Sequence, residues 1–107
     1  MTVARFRRRP ANALRGEVDL ELPGVSVRLR PSFSALVAAE SELGSLAALL
    51  ERAGAGDVRL GDAAALFWHC SHWEGARAEF EGRLAEVGLA RILPVYRSLL
   101  VRIFAGQ

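Results

Sequence analysis

The chain predicts an α+β domain in which an N-terminal two-stranded β-hairpin precedes a bundle of four to five short helices. Two observations lead there. Apolar residues alternate with polar ones at period two from Glu17 to Arg30, and beyond Pro31 the apolar spacing changes to the three-and-four rhythm of helices. Serines and glycines then punctuate the chain at intervals that suit helix caps.

In the hairpin, pairing about Pro23-Gly24 sets Leu22 opposite Val25, Leu20 opposite Val27 and Val18 opposite Leu29. Those six apolar side chains share one face, which is expected to pack on the helices. The opposite face sets Glu17 against Arg30, Asp19 against Arg28 and Glu21 against Ser26. Each complementary pair contributes about 0.2 to 1 kcal/mol and opposes a slip of register. Glu17, Asp19 and Arg28 are expected to be exposed. An L-proline before glycine suits type I or II turns better than the primed turns of tight hairpins, so a looser tip is expected.

Ser32 is placed to cap a first helix that buries Phe33, Leu36, Val37 and Leu43 and stops at Gly44. Ser45 caps a second, with Leu46, Leu49, Leu50 and Ala53 on one stripe, ending in Gly54-Ala55-Gly56. Asp62 is placed to cap a third, whose stripe is Ala63, Leu66, Phe67, Cys70 and Trp73, with a break at Glu74-Gly75. The fourth carries Ala76, Phe80, Leu84 and Val87, with Glu79 and Arg83 spaced to pair, and ends at Gly88. The last runs from about Leu89 to Phe104 with a seam of Ile92, Tyr96, Leu99 and Ile103. Pro94 fits a helix best in its first turn, which draws the expected start toward Leu93.

At 107 residues this is one domain, able to bury roughly two-thirds of its unfolded surface. A hydrophobic content of 51% and a net charge of +2 place it among globular proteins. All 14 cations are arginine. Residues 1–15 hold five arginines and no acid and read as a basic flexible arm. Residues 16–107 hold nine arginines against twelve acids, a net −3, and read as the single folded domain. The lone Cys70 cannot form an internal disulfide, no apolar run approaches the ~20 residues of a membrane span, and the basic N-terminus lacks the apolar stretch of a signal peptide. A cytoplasmic protein without a membrane partner is expected.

The search for chemistry returns negatives. His69, Cys70 and His72 are the one cluster of potential metal ligands, but a structural zinc site wants four, and neighbouring helical positions point ~100° apart. The same divergence separates the groups of a Cys-His dyad. No phosphate-binding glycine loop and no serine elbow occurs. No enzyme, metal or cofactor is expected, and Cys70 reads as a small core residue.

Two features point to binding. Trp68 and His72, four apart on the third helix, project away from its Leu66/Phe67/Cys70 stripe. Either that helix is central and buried on both sides, or Trp68 and His72 form an aromatic partner site. Tyr96 and Arg97 on the closing helix are the next candidates. The second feature is Arg7, Arg8 and Arg9 beside Pro10, which can hold an acidic partner or nucleic acid by charge. With no interleaved aromatics and no recognition helix, sequence-specific nucleic-acid binding is not expected.

The run Arg15-Gly16-Glu17-Val18, the stretch Leu29-Arg30-Pro31-Ser32-Phe33, then Ala35-Leu36, Glu40 and Leu43-Gly44-Ser45-Leu46 resemble the opening of the gene transfer agent family of small phage-tail proteins. The resemblance covers roughly residues 12–105, is most specific over 15–46, and returns at Gly88-Leu89-Ala90. The chain departs from the pattern between Phe67 and Trp73, where His69, Cys70, His72 and Trp73 replace a plainer, glycine-rich turn, and at Pro23-Gly24, where Asp-Gly is more usual.

The resemblance implies a tail assembly chaperone that acts before the tube closes around the tape measure, with the tape measure protein and tail tube subunits as partners. A tape measure is a long helical chain with apolar stripes, which a small protein with an apolar groove can cover. The alternatives are a structural tube component retained in the particle, with self-association of the chain, and a basic-arm nucleic-acid-binding module recognisable by steep salt dependence.

Overall fold

A computed structural model of the chain describes residues 16–105, so the arginine arm lies outside the described residues. Within them the hairpin forms from β1 (Val18–Leu22) and β2 (Val25–Leu29). Their antiparallel register pairs Val18 with Leu29, Asp19 with Arg28, Leu20 with Val27, Glu21 with Ser26 and Leu22 with Val25, as the alternation predicts. Gly24, at φ +77°, supplies the left-handed corner that a proline-glycine turn requires, and the register holds up to the tip. Five helices follow: α1 (Phe33–Leu43), α2 (Leu46–Gly54), α3 (Leu60–Ser71), α4 (Arg77–Val87) and α5 (Leu89–Ala105).

Side-chain chemistry sets the first two helix starts. The Ser32 hydroxyl accepts from the Ala35 amide at 3.2 Å, and the Ser45 hydroxyl accepts from the Ala48 amide at 3.2 Å. Gly44, at φ +85°, ends α1, and its amide donates to the Glu40 carbonyl at 2.9 Å. The chain turns by 74° there before α2 begins.

The third helix is the centre of the assembly. It packs against α1, β2, α4 and α5, while β1 lies on α4 and α5, and α2 lies on α5. Ala63, Ala64, Ala65, Leu66, Phe67 and Cys70 are all buried, so α3 is covered on both sides. A main-chain bond joins its end to the hairpin: the Arg30 amide donates to the Cys70 carbonyl at 2.8 Å. Phe67 meets Tyr96 of α5 edge to face, with ring centres 6.2 Å apart.

The structure departs from the sequence reading at several positions. On α1 the buried residues are Ala35 and Ala39, with Leu36 and Leu43 partly buried, whereas Phe33 is 84% exposed and Val37 is exposed too. Because α1 is apolar nearly all round, periodicity cannot choose its inner face, and the small alanines give the closer approach to α3. Glu17, expected at the surface, is only 5% exposed. Its carboxylate meets Arg30 Nε at 3.2 Å, and Arg102 Nη1, from α5, donates to its carbonyl at 3.1 Å. Val25, at the tip, is exposed while the other five residues of its face are buried.

Asp62 is not the cap of α3. The helix starts at Leu60, and Asp62, in its first turn, accepts from Arg52 Nη2 at 2.6 Å. A charge-assisted bond to α2 thus replaces the local cap, and the carboxylate still faces the positive end of the helix. At the far end His72 takes the left-handed conformation, φ +54°, so the helix stops at Ser71 and Trp73 lies beyond it. The last helix begins at Leu89, which leaves Pro94 inside it on the exposed side, where water can reach the carbonyl that lacks an amide partner.

Phenylalanine thus plays opposite parts in α1 and α3. Phe67→Ala is expected to cost about 3 to 5 kcal/mol, and Phe33→Ser no more than about 0.5 kcal/mol, by urea denaturation at fixed pH. Equal losses would overturn the assignment of α1's outer face.

Candidate partner-binding surface

The four side chains singled out for partner binding lie in three different settings. Trp68 is half-buried, with its ring 5.8 Å from that of Phe80 on α4. The Arg77 guanidinium lies 5.8 Å from the centre of the Trp68 ring. His72 is exposed, but in its left-handed position it leaves the helical path and does not continue the row from Trp68. Tyr96 is 1% exposed and belongs to the core beneath α5, because its ring fills the space against Phe67. Burial, then the nearby Asp62 charge, raise its hydroxyl to about 12. Arg97, the next residue, is exposed.

Trp73 is the aromatic contributor that helical periodicity misplaces. Once the chain leaves α3 at His72, the Trp73 ring comes to 5.4 Å from Phe80, completing a row of Trp68, Phe80 and Trp73. Arg77 and Arg83, three residues either side of Phe80, flank it. Arg83 lies 5.8 Å from the Trp73 ring centre, and its Nη1 donates to the Pro23 carbonyl at 3.0 Å, tying α4 to the hairpin tip. The spacing Arg77, Phe80, Arg83 is the sequence signal that could have located this row.

Glu42, at the end of α1, organises the polar edge beside it. Arg77 Nη1 and Nη2 donate to its two carboxylate oxygens at 2.9 and 2.6 Å, and His69 Nε2 lies 2.8 Å from Oε1. Arg77 Nε also donates to Glu81 at 3.0 Å. The Arg77 bonds, then the His69 bond, hold the Glu42 carboxyl down at about 2. The network ties α1, α3 and α4 together and holds Arg77 over Trp68.

Cys70 is fully buried, and burial pushes its thiol up to about 12. His69 is turned to Glu42 and His72 stands at the exposed end of α3, so the three do not converge. Among the described residues no three His, Cys, Asp or Glu side chains group as metal ligands.

The family model described as phage tail tube protein, GTA-gp10, matches residues 15–106, from just before the hairpin to the end of α5. The chain belongs to this family. No curated protein and no solved structure matches it significantly. Membership of the GTA-gp10 family places the hairpin, the aromatic row and the helix faces in a phage-tail-related protein of the gene transfer agent kind. The resemblance seen between Arg15 and Leu46 has the same direction.

Apolar side chains on the outer faces of the GTA-gp10 domain are the other candidate contacts. Phe33 and Val37 lie one turn apart on α1, and Leu89, Val101 and Phe104 are exposed on α5. A groove of about 330 Å³ runs between α2 and α5, lined by Leu50, Ala53, Gly54, Gly56, Arg97 and Leu100. Another, of about 280 Å³, lies between α3 and α4 and is lined by Leu60, Gly61, Ala64, Glu81, Leu84 and Ala85.

Because Glu42 titrates lower folded than its ordinary 4.5, it stabilises the fold above that pH and ceases to do so as pH falls toward about 2. Glu42→Gln is expected to melt below the wild type near neutrality, with the gap closing across that acid range. Parallel melting curves would place the acid sensitivity elsewhere. Cys70 is expected to resist iodoacetamide in the native protein at about pH 8 and to react fully in denaturant, and Cys70→Ala to cost about 1 to 2 kcal/mol. Rapid native alkylation would contradict the burial of the thiol.

Proposed function

We propose that the protein is a tail-assembly chaperone of a gene transfer agent, a non-enzymatic factor acting in the cytoplasm of the producing cell on the tape measure protein, tail tube subunits or both. Family membership over residues 15–106 supports the tail context, and what supports the chaperone role is a small domain whose apolar side chains are not all spent on its core. Covering another chain's apolar stripe until tube subunits replace the cover needs modest, reversible affinity and no catalytic group. Shallow grooves flanked by single exposed apolar residues suit such contacts better than a large hydrophobic interface does.

The family's description as a tail tube protein favours a second reading, a structural component that stays in the particle. Quantitative mass spectrometry of purified particles beside the producing lysate separates the two. For a chaperone, the chain is expected in the lysate alongside tail proteins and absent from finished particles. Many copies per particle would overturn the chaperone in favour of the tube component. A partner contact dominated instead by the arginine arm and nucleic acid would show a steep loss of binding with salt.

A further inference from the structure

We propose that the groove between α2 and α5 docks an amphipathic helix of another tail protein, one with carboxylates beside its apolar stripe; this rests on the tail-assembly function proposed above. The first support is the distribution of ion pairs. Every arginine between the hairpin and α4 has a carboxylate partner: Arg28 with Asp19, Arg30 with Glu17, Arg52 with Asp62, Arg59 with Asp57, Arg77 with Glu42 and Arg83 with Glu79. On α5 the pattern stops. This helix carries Arg91, Arg97 and Arg102 and no acid. Residues 16–88 hold six arginines against twelve acids, a net −6, yet no carboxylate among them pairs with Arg97. Among the described residues Arg102 donates to the Glu17 carbonyl and Arg97 has no partner. An exposed guanidinium at the rim of an apolar groove is thus left for a carboxylate from outside.

The second support is shape. Ala53 and Leu100 are buried and only close the floor of the groove, half-buried Leu50 is its accessible apolar side chain, and exposed Arg97 stands at its rim. Gly54 and Gly56 form the opposite lip, and the space where their side chains would stand is open, so a partner backbone can come close. Along α5, Arg97, Val101 and Phe104 succeed one another at spacings of four and three, on one face. Val101 is 59% exposed and Phe104 45% exposed, and Phe104 stands one turn beyond the Leu100 lining. The strip from Arg97 to Phe104 runs about 10 Å, the reach of two turns of a partner helix. An aliphatic side chain in the groove with a carboxylate on Arg97 fits this layout. A phosphate backbone meets one cation there among aliphatic walls, which is poor provision for nucleic acid.

The test uses the full-length protein and two labelled model peptides of about 20 residues, both with the same leucine heptad stripe, one flanked by glutamates and the other by lysines. Fluorescence anisotropy is expected to show the glutamate peptide bound at least about tenfold more tightly than its lysine twin. Arg97→Glu is expected to abolish or invert that preference. Val101→Ser is expected to weaken the glutamate peptide, and both variants should melt as the wild type does because both side chains are exposed. Equal binding of the two peptides, or an undiminished preference in Arg97→Glu, would overturn the proposal. So would tighter binding of a duplex oligonucleotide than of the glutamate peptide, or a stable dimer that Arg97→Glu dissolves. The tail-assembly reading fails separately: peptide selectivity without any co-purification with tail proteins from producing cells would sink that reading and leave the groove's preference standing.

Discussion

The close packing around α3 is the constraint on which the rest of the structure depends. Three consecutive alanines, Ala63, Ala64 and Ala65, together with Leu66, Phe67 and Cys70, are buried on both sides of it. A helix buried on two sides needs neighbours on both, and it has them in α1, α4 and α5, with β2 across its end. Small side chains let those neighbours approach, while Phe67 fills the depth against Tyr96. The hairpin could not stand alone, since two strands are at best marginal in water. It is held because Leu20, Val27 and Leu29 enter the same core and because the Arg30 amide is satisfied by the Cys70 carbonyl.

Arginine does the joining at the edges of that core. Arg52 to Asp62 links α2 to α3, Arg77 to Glu42 links α4 to α1, and Arg83 reaches the hairpin tip. Exposed pairs of this kind contribute little singly, about 0 to 1 kcal/mol. Their geometry matters more than their sum, because the bidentate hold of Glu42 on Arg77 fixes where the guanidinium lies over Trp68. Lysine could supply the charge at each place but not the planar fork.

The hairpin's register was legible, because period two with complementary charges leaves one arrangement that keeps Leu20 and Leu29 inside, but the burial of Glu17 and the exposure of Val25 were not. The helix succession was legible for a similar local reason, the serine and glycine caps at Ser32, Gly44, Ser45 and Gly88. What escaped was tertiary. The choice between the Phe33/Val37 and Ala35/Ala39 faces of α1 depends on how closely α3 can approach, the burial of Glu17 depends on Arg102 from the other end of the chain, and the left-handed stop at His72 moved Trp73 off the stripe and onto Phe80. The candidate site suffered most from this. Periodicity sets Trp68 opposite the Leu66/Phe67/Cys70 stripe and leaves a central helix and a partner site as alternatives, between which Phe80 decides, and it cannot show that one residue of helix separates buried Tyr96 from exposed Arg97.

The division of charge along the chain gives these surfaces their order. From the hairpin to α4, acids exceed arginines and every arginine is answered within the domain; α5 is the basic element, and its inner face is already satisfied by Ile92, Tyr96, Leu99 and Leu100. A helix that spends its apolar seam on the core and keeps Arg97, Val101 and Phe104 outside has its remaining chemistry on one side only. Self-repulsion with an acidic partner surface would fall on the body, whereas attraction would fall on α5, so the charge pattern steers an acidic helix toward that side before any apolar contact forms. The apolar strip then sets how long it stays, and a strip two turns long permits release, as the proposed chaperone role requires.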